Sequence, residues 1–410
     1  MSGWRQLQVD DGSEVPAGRG GAACTALDGR RILCFGGADR EPRAFDDLWL
    51  LELGADGQGH WTRVSPVLKL SRKRKLLPRS GASITYVPGP GGGPGKVYVF
   101  GGQEPASGAI FDDLLCLDTS SWELTDVTLE QQVQPQQTAQ PPPPQPPQRP
   151  PGRHSHVAGL YEGRGLIIFG GAGLRGPLAD VWAFQPSSDG AVDGSGTSGS
   201  WRCLSGGLAE DQGPERREMA AGCMISEAGL LVHGGRGADG GLLSDILIFD
   251  GRAGRWVLSQ DTGVPRCAHT ACNAAVQQHA AQQQPATSGG QGAAAAGPQP
   301  ADSSGSTKAG GGGGAAPGAG NVLLFGGFDG EGVAGDLLQL TFRREQRGAG
   351  SRSLRAELRP VKAAAEGAPQ PRFAHAAAVL PSTDGTSAEV VLFGGVNAEE
   401  DLSDVHIYTL

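Results

Sequence analysis

Short apolar runs that end in paired glycines recur along the chain. Each run holds four apolar or aromatic residues in a row, or three and a histidine. Runs of this length, rich in β-branched residues and bounded by glycine, are typical of buried strands. The paired glycines allow backbone angles and close packing that a side chain would prevent. The six runs with their glycines are Ile32–Gly37, Val97–Gly102, Leu166–Gly171, Leu230–Gly235, Val322–Gly327 and Val390–Gly395.

Each run has the same polar and aromatic surroundings, so the chain contains a repeat. An arginine opens a strand upstream, an aspartate opens a third strand downstream, and a fourth strand carries a tryptophan. Four short strands per unit predict one blade of a propeller. The arginines are Arg19, Arg79, Arg153, Arg217, Arg266 and Arg372; the aspartates are Asp47, Asp113, Asp180, Asp245, Asp336 and Asp404; the tryptophans are Trp61, Trp122, Trp201 and Trp256.

The two ends of the chain complement each other. The sixth unit stops at Leu410, after its third strand, and residues 4–9 supply a spare strand with a tryptophan, Trp4. Shared between the ends, the last blade would close the ring and remove exposed sheet edges. We therefore predict an all-β fold over residues 1–410: a single six-bladed β-propeller whose last blade is closed by the N-terminal strand.

The repeat resembles the kelch repeat, in which Arg-x-x-His, an apolar run, Gly-Gly, Asp-Leu-Trp and a further Trp follow in order. The histidine is His156, His269 or His375 in three units, and alanine replaces it in the others. The fifth unit has no tryptophan in its fourth strand, which we place near Leu354–Leu358. The resemblance covers all six units and implies a kelch-like propeller that holds protein partners on one loop face.

Low-complexity segments interrupt the repeat. They are rich in Pro, Gln, Gly, Ser or Ala and bury too little apolar surface to offset the entropy of ordering, so we expect them to be disordered inserts. The Pro/Gln-rich segment could dock an aromatic groove as a polyproline helix, although a loop expansion without function is favoured. The segments are residues 128–151, 186–200, 276–320 and 343–368.

Charge and cysteine content limit the classes of partner and the cellular compartment that we expect. The net charge is −9, which argues against nucleic acid as a partner because such binding needs a basic footprint. The seven cysteines form no CxxC pair and are expected to be buried thiols in a reducing compartment. No signal peptide or membrane-spanning run is recognisable. We expect a cytoplasmic monomer, with the nucleus as the alternative because of the basic run at residues 72–75.

Enzymatic chemistry finds little support in the sequence. Galactose-oxidase-like propellers use tyrosines around copper, but Tyr98 lies inside a strand pattern; nitrile-specifier propellers use Glu, Asp and His at spacings of four, and here Tyr408 follows Glu400 and Asp404. The repeat histidines could meet on a metal, but packing between blades is the favoured interpretation. We expect no catalytic residue, no metal and no cofactor.

The loops that join the second and third strands share one face with the connections between blades, as the kelch resemblance implies. We call this face the mouth. Residues that follow each Gly-Gly and each repeat arginine should line it. The predicted partner-binding residues are Arg236, Phe328, Phe373, Gln103, Ser80, His154 and Glu218. One arginine among these positions argues against an acidic degron as the partner.

Charges are expected to divide the mouth into opposed sectors. Basic residues at 69 and 72–75 lie between the first two blades, whereas the loops of the last two blades are acidic at 329–331 and 399–401. We expect a non-enzymatic adaptor or effector that binds a protein partner through this face. The alternative is the substrate-recognition subunit of a ubiquitin ligase, which would borrow a BTB domain or cullin-box helix in trans; a metal-dependent propeller enzyme is less favoured.

Overall fold

The computed structural model contains six antiparallel sheets, which follow one another along the chain as blades I to VI and confirm the six-bladed propeller. One 3₁₀ turn, Pro90–Gly92, is the helical element of the described residues. The structure describes residues 2–10, 12–71, 74–129, 149–187, 198–206, 213–275, 322–347, 351–362, 366–381 and 388–410.

Blades I to III each run from an inner strand at the propeller axis to an outer strand at the rim. Blade I comprises Ala23–Ala26, Arg31–Phe35, Leu48–Leu53 and Gly59–Val64. Blade II comprises Ser83–Val87, Lys96–Phe100, Leu114–Asp118 and Glu123–Asp126, with Val67–Lys69 added in parallel at its rim. Blade III comprises Val157–Tyr161, Gly165–Phe169, Val181–Pro186 and Ser198–Ser205, with Thr128–Leu129 added in the same way.

Blades IV to VI repeat the plan. Blade IV comprises Ala221–Met224, Gly229–His233, Asp245–Asp250 and Arg255–Asp261. Blade V comprises Thr270–Asn273, Val322–Phe325, Leu337–Arg347 and Ser351–Pro360. Blade VI comprises Ala376–Pro381, Ala388–Phe393, Val405–Thr409 and Gly3–Gln6. Three two-stranded ladders at the mouth complete the set: Gln103–Glu104 with Ala109–Ile110, Ala172–Gly173 with Gly176–Pro177, and Arg217–Glu218 with Arg236–Gly237.

The N-terminal strand closes the ring, as the sequence predicted. Gly3–Gln6 pairs antiparallel with Val405–Thr409 and places Trp4 opposite Tyr408. The Trp4 ring packs 5.0 Å from that of Tyr408 and 5.3 Å from that of Phe325 in blade V, measured between centroids. The first strand of the chain therefore completes both the last sheet and the contact between the last two blades.

The core lies between the blades. The buried apolar side chains form six clusters, and each cluster fills one seam, by which we mean the interface between adjacent blades. In four seams the phenylalanine before Gly-Gly of one blade packs against the outer-strand tryptophan of the next blade at centroid distances of 5.0–5.3 Å. These pairs are Phe393 with Trp61, Phe100 with Trp201, Phe169 with Trp256, and Phe325 with Trp4.

The glycine pair is required by the closeness of the next blade. A Cβ on the first glycine would come within 2.3–2.9 Å of the carbonyl oxygen of the next repeat arginine, as Gly36 shows against Arg79 and Gly394 against Arg19. Both glycines of each pair also have positive φ. A side chain there would combine a backbone clash with left-handed strain.

Two sequence expectations about outer strands need correction. Trp122 lies in the turn before the outer strand of blade II, with φ of 56°, and Leu124 is the residue that faces Leu117. Residues 343–368 are also not a loop throughout, because Leu337–Arg347 and Ser351–Pro360 pair as a continuous hairpin. Cross-strand backbone hydrogen bonds stabilise this hairpin in spite of its polar composition. The fourth strand expected near Leu354–Leu358 is confirmed.

The other expected inserts are only partly described. Thr128–Leu129 and Ser198–Ser200 belong to strands, so the ordered chain reaches further into two of them than expected. Residues 130–148, 188–197 and 276–321 lie outside the described residues. The last of these joins the inner and second strands of blade V, the position predicted from the sequence.

Replacing Trp4 with Ala should lower the free energy of unfolding by about 3–5 kcal/mol, since Trp4 is only 8% exposed and contacts both blades that it joins. Chemical denaturation measures the change. Val257→Ala, at an exposed position on the rim of blade IV, is the control and should change stability by less than about 0.5 kcal/mol. Equal denaturation midpoints for the two variants would contradict the closure role of the N-terminal strand.

Replacing residues 276–320 with a short Gly/Ser turn should preserve cooperative unfolding. Asn273 and Val322 are already cross-strand partners, so a short connection suffices to join their strands. Thermal denaturation followed by circular dichroism tests this expectation. Loss of a single cooperative transition would mean that the segment contributes to the fold.

Candidate functional site

A buried arginine–aspartate clamp stands at the same place in every blade. In blade III, Arg153 donates to both carboxylate oxygens of Asp180, at 2.7 and 2.8 Å, and to the carbonyl of Gly170 at 2.9 Å. All six repeat arginines are at most 7% exposed. The other clamps are Arg19–Asp47, Arg79–Asp113, Arg217–Asp245, Arg266–Asp336 and Arg372–Asp404. The arginine charges are therefore used inside the blade and are not offered to a ligand.

Two of the clamps, those of Asp47 and Asp404, lower the pKa of their carboxyl groups. Burial alone would raise the pKa of Asp47, but hydrogen bonds from Arg19 and Trp49 outweigh it and lower the pKa below its ordinary value. Burial would also raise the pKa of Asp404. Hydrogen bonds from Arg372 and His406 outweigh burial and lower this pKa strongly. Asp47 and Asp404 therefore remain ionised at neutral pH.

The main chain of each clamp arginine links its blade to the preceding one. The second glycine of every pair donates its N–H to the arginine carbonyl of the next blade, at 2.8–2.9 Å, and Gly395 of blade VI donates to Arg19 of blade I. A second set of hydrogen bonds involves the residue two positions after each clamp arginine. This residue has a positive φ and donates its N–H to the carbonyl of the equivalent residue in the preceding blade, at 2.7–3.0 Å, around the whole ring. The six residues are Gly21, Gly81, Ser155, Met219, Ala268 and Ala374.

The repeat histidines bind the preceding blade. Nε2 of His156 lies 2.8 Å from the hydroxyl of Ser83, and Nε2 of His375 lies 2.8 Å from that of Thr270. At the seam between blades IV and V the partner is another histidine: Nε2 of His269 lies 2.9 Å from Nδ1 of His233, which occupies the place of the usual phenylalanine. The packing interpretation of these histidines is confirmed by these three separate contacts.

Burial keeps these imidazoles neutral. It lowers the pKa of His156 and His375 to about 3, with nearby arginines adding to the effect. The pKa of His233 is lowered to about 4, again mainly by burial, and that of His269 lies well below its ordinary value because of burial and the His233 neighbour.

Six bridges form the wall of the mouth. The residue after each repeat arginine pairs antiparallel with the residue after Gly-Gly of the same blade, so the two sets singled out from the sequence meet pairwise. Ser80 and Gln103, for example, exchange backbone hydrogen bonds of 2.8 and 2.9 Å. The six pairs are Gly20–Ala38, Ser80–Gln103, His154–Ala172, Glu218–Arg236, Cys267–Phe328 and Phe373–Val396.

The predicted partner-binding residues differ in their accessibility. Phe328 is exposed, whereas Phe373 is half-buried and is not the exposed aromatic that the sequence suggested. Arg236 reaches solvent, but its Nε donates to buried Glu218 at 2.9 Å. This ion pair, which the sequence did not reveal, commits part of the arginine to the wall of the mouth.

The remaining predicted residues lie deeper. His154 is buried, and its Nδ1 lies 3.1 Å from Oγ of Ser155, a member of the hydrogen-bonded ring. Gln103 and Ser80 are half-buried in their bridge. His154 and Glu218 are therefore wall residues; a role in partner binding for any of the seven stays a prediction.

Sequence reasoning missed Leu174. This side chain is 89% exposed at the tip of the hairpin formed by Ala172–Gly173 and Gly176–Pro177, next to exposed Arg175. The available signal was a leucine within a glycine-rich turn at the mouth. Phe328 and Leu174 thus present apolar surface on two different blades.

Comparisons with known proteins agree with this architecture. No family model matches the chain. It is 28% identical over 253 residues to Adagio-like protein 1 of Oryza sativa subsp. japonica, which covers 60% of this chain and 34% of that protein. It is 33% identical over 128 residues to an F-box/kelch-repeat protein of Arabidopsis thaliana, covering 30% of this chain and 25% of that protein.

The six clamps and the glycine pairs match the kelch repeat, and the similarity to an F-box/kelch-repeat protein supports the same family. The chain is a kelch-repeat β-propeller. It matches 34% and 25% of the length of these two relatives, and only 5% of multiple epidermal growth factor-like domains protein 8 of Homo sapiens, to which it is 29% identical over 182 residues.

The basic residues that the sequence places at the mouth are partly neutralised, and Lys69 lies in the strand added at the rim of blade II. Lys69 pairs with Glu123 at 2.6 Å, and Arg74 pairs with Asp126; residues 72 and 73 lie outside the described residues. In the loops of blades V and VI, Glu331, Glu399 and Glu400 are exposed. Asp401 of the same acidic sector contacts Arg40 of blade I at 3.7 Å.

Within the described ranges, no group of three or more His, Cys, Asp and Glu side chains is placed to share a metal ion. In the same part of the propeller, no helix has the length and apolar character of a membrane span.

The buried histidines should make the propeller sensitive to acid. Between pH 6.5 and about 4, His233 is protonated in the unfolded chain but remains neutral in the folded protein. The free energy of unfolding therefore falls as the pH falls through that window. The double variant His233→Phe/His269→Ala copies the seam between blades VI and I, where Phe393 meets Ala22. Because both buried imidazoles are removed, it should lose at least roughly 3 kcal/mol less than the unmodified protein between pH 7 and pH 4.

Denaturant titrations at both pH values measure this difference. The double variant keeps His156 and His375, so a smaller acid effect should remain. An acid loss as large as in the unmodified protein would show that the histidine pair does not titrate as described.

Proposed function

We propose that this kelch propeller is a non-enzymatic protein-interaction module that binds a partner protein at its mouth. The observation that carries the proposal is the division of labour between its residues. The repeat arginines, aspartates and histidines are held by internal contacts, whereas Phe328 and Leu174 project from the mouth. Exposed aromatic and aliphatic side chains grouped on one face are plausible anchors for a partner.

The bridges favour binding by a preformed surface. Each mouth loop starts at a bridge such as Cys267–Phe328, and each bridge lies next to the ring of blade-to-blade hydrogen bonds. Loops anchored in this way lose little conformational entropy when a partner binds. Surface loops on a rigid scaffold are also where proteins commonly place their binding residues.

The uneven charge of the mouth supports a partner with a basic segment beside the acidic loops of blades V and VI. Glu331, Glu399 and Glu400 are exposed there, while Arg74 at blade II is already paired with Asp126. Charges at an interface rim chiefly accelerate association and select orientation. We place this binding in the cytoplasm, where the seven free thiols would persist.

A second candidate function is substrate recognition for a ubiquitin ligase. The similarity to an F-box/kelch-repeat protein of Arabidopsis thaliana favours it. In this case the propeller would bind the substrate at its mouth and reach the ligase through another chain. Recovery of ligase subunits together with the partner would distinguish this role from that of a stand-alone adaptor.

The double variant Phe328→Ala/Leu174→Ala should bind the partner at least about thirtyfold more weakly, since truncating a hot spot costs about 2 kcal/mol or more. Affinity capture with mass spectrometry identifies the partner, and titration calorimetry gives the dissociation constant. The melting temperature should stay the same, because both side chains are exposed.

Val257→Ala, exposed on the rim of blade IV, is the matched control and should bind normally. If the double variant binds fully while deletion of residues 131–151 abolishes binding, the Pro/Gln-rich segment is the ligand and the mouth is not the binding face.

A further inference from the structure

Two of the seven cysteines face each other across the first two strands of blade I. Cys24 on the inner strand is the register partner of Cys34 on the second strand. We propose that Cys24 and Cys34 are a redox modification site, in which a peroxide oxidant converts the two thiols into a reversible disulfide. This property is independent of the proposed binding at the mouth.

The register places this pair at a position suited to a disulfide. Leu27 donates its N–H to the carbonyl of Arg31 at 2.8 Å, so the hydrogen-bonded pairs of this ladder are 27/31, 25/33 and 23/35. Cys24 and Cys34 therefore form a non-hydrogen-bonded pair. In such pairs the Cα atoms lie about 4.5 Å apart, at the short end of the roughly 4.4–6.8 Å range of disulfides.

The two thiols lie near each other. Besides burial, the neighbouring Cys24 side chain helps to raise the pKa of the Cys34 thiol. To form a disulfide, the two side chains must rotate. The cross-strand pairs on either side of Cys24 and Cys34 hold the two strands in place. Because Cys24 is partly exposed, a disulfide between the two residues would be open to reduction.

The two sulfurs differ in access, which assigns the order of events. Cys24 is partly exposed, whereas Cys34 is 3% exposed. Burial, together with the Cys24 neighbour, raises the pKa of the Cys34 thiol well above its ordinary value. Cys24 is therefore the residue that meets the oxidant, and Cys34 is the resolving thiol.

The chemistry balances with hydrogen peroxide as the oxidant. The Cys24 thiolate attacks one peroxide oxygen, the O–O bond breaks, and a sulfenic acid and hydroxide result. The Cys34 sulfur then attacks the Cys24 sulfur, the S–S bond forms, the S–O bond breaks, and the leaving hydroxide takes the Cys34 proton. The two thiols lose two electrons and two protons, and peroxide becomes two molecules of water.

The other five cysteines lack this arrangement, and all seven lie in the described ranges. The residue opposite each of these five in its ladder or bridge is not a cysteine. Cys116 faces Tyr98 and Thr125, Cys203 faces Trp182, Cys223 faces Leu231, Cys267 faces Phe328, and Cys272 faces Leu323.

The test uses the full chain with Cys203→Ser, which removes the exposed thiol. The protein is treated with hydrogen peroxide, free thiols are alkylated, and tryptic peptides are mapped with and without reduction. Cleavage at Arg30 and Arg31 separates the two cysteines, so a Cys24–Cys34 bond joins peptides 20–30 and 32–40. We expect this linked species to rise at least tenfold on oxidation and to disappear with dithiothreitol.

Adding Cys24→Ser should abolish the linked species, whereas Cys116→Ser, a buried cysteine outside the pair, should leave it unchanged. The readout on the unmutated pair does not depend on whether either variant folds. Recovery of Cys24 as a sulfinic or sulfonic acid with Cys34 still alkylatable would overturn the proposal. So would a dominant link between Cys223 and Cys272, which are neighbours across the seam of blades IV and V.

Discussion

The arginine–aspartate clamp is the contact on which the rest of the propeller depends. Its guanidinium joins the strands of one blade, through Asp180 and Gly170 in the case of Arg153, and its carbonyl accepts the glycine N–H of the blade before. A buried ion pair of this kind contributes modest net stability, but loss of one partner leaves an uncompensated charge and costs about 3–5 kcal/mol. Six such clamps also fix where each mouth loop begins.

The seams vary around this constant clamp in a coordinated way. Histidine appears after the clamp only where the preceding blade offers a partner: Ser83 for His156, Thr270 for His375, and His233 for His269. Where alanine replaces the histidine, as at Ala22, Ala82 and Ala220, the inner strand of the preceding blade has an apolar residue at the matching place. Buried polar groups thus occur in matched pairs, as their desolvation cost requires.

The residues that hold the fold together differ from the residues exposed at the mouth. The polar residues that define the repeat make contacts within the fold, so the residues exposed at the mouth are ones that vary between blades, such as Phe328, Leu174 and the glutamates of blades V and VI. Two wall residues, Glu218 and Arg236, fall between these classes because they pair with each other while one of them reaches solvent.

The sequence by itself determined the blade count, the glycine pairs and the closing strand, because these follow from local period and from a repeat that recurs six times. Only the tertiary structure decided the exposure of Phe373 and the pairing of Arg236 with Glu218. These depend on contacts between residues distant in the chain: hydrophobic pattern shows which residues can be buried, whereas the neighbouring blade or strand decides which are.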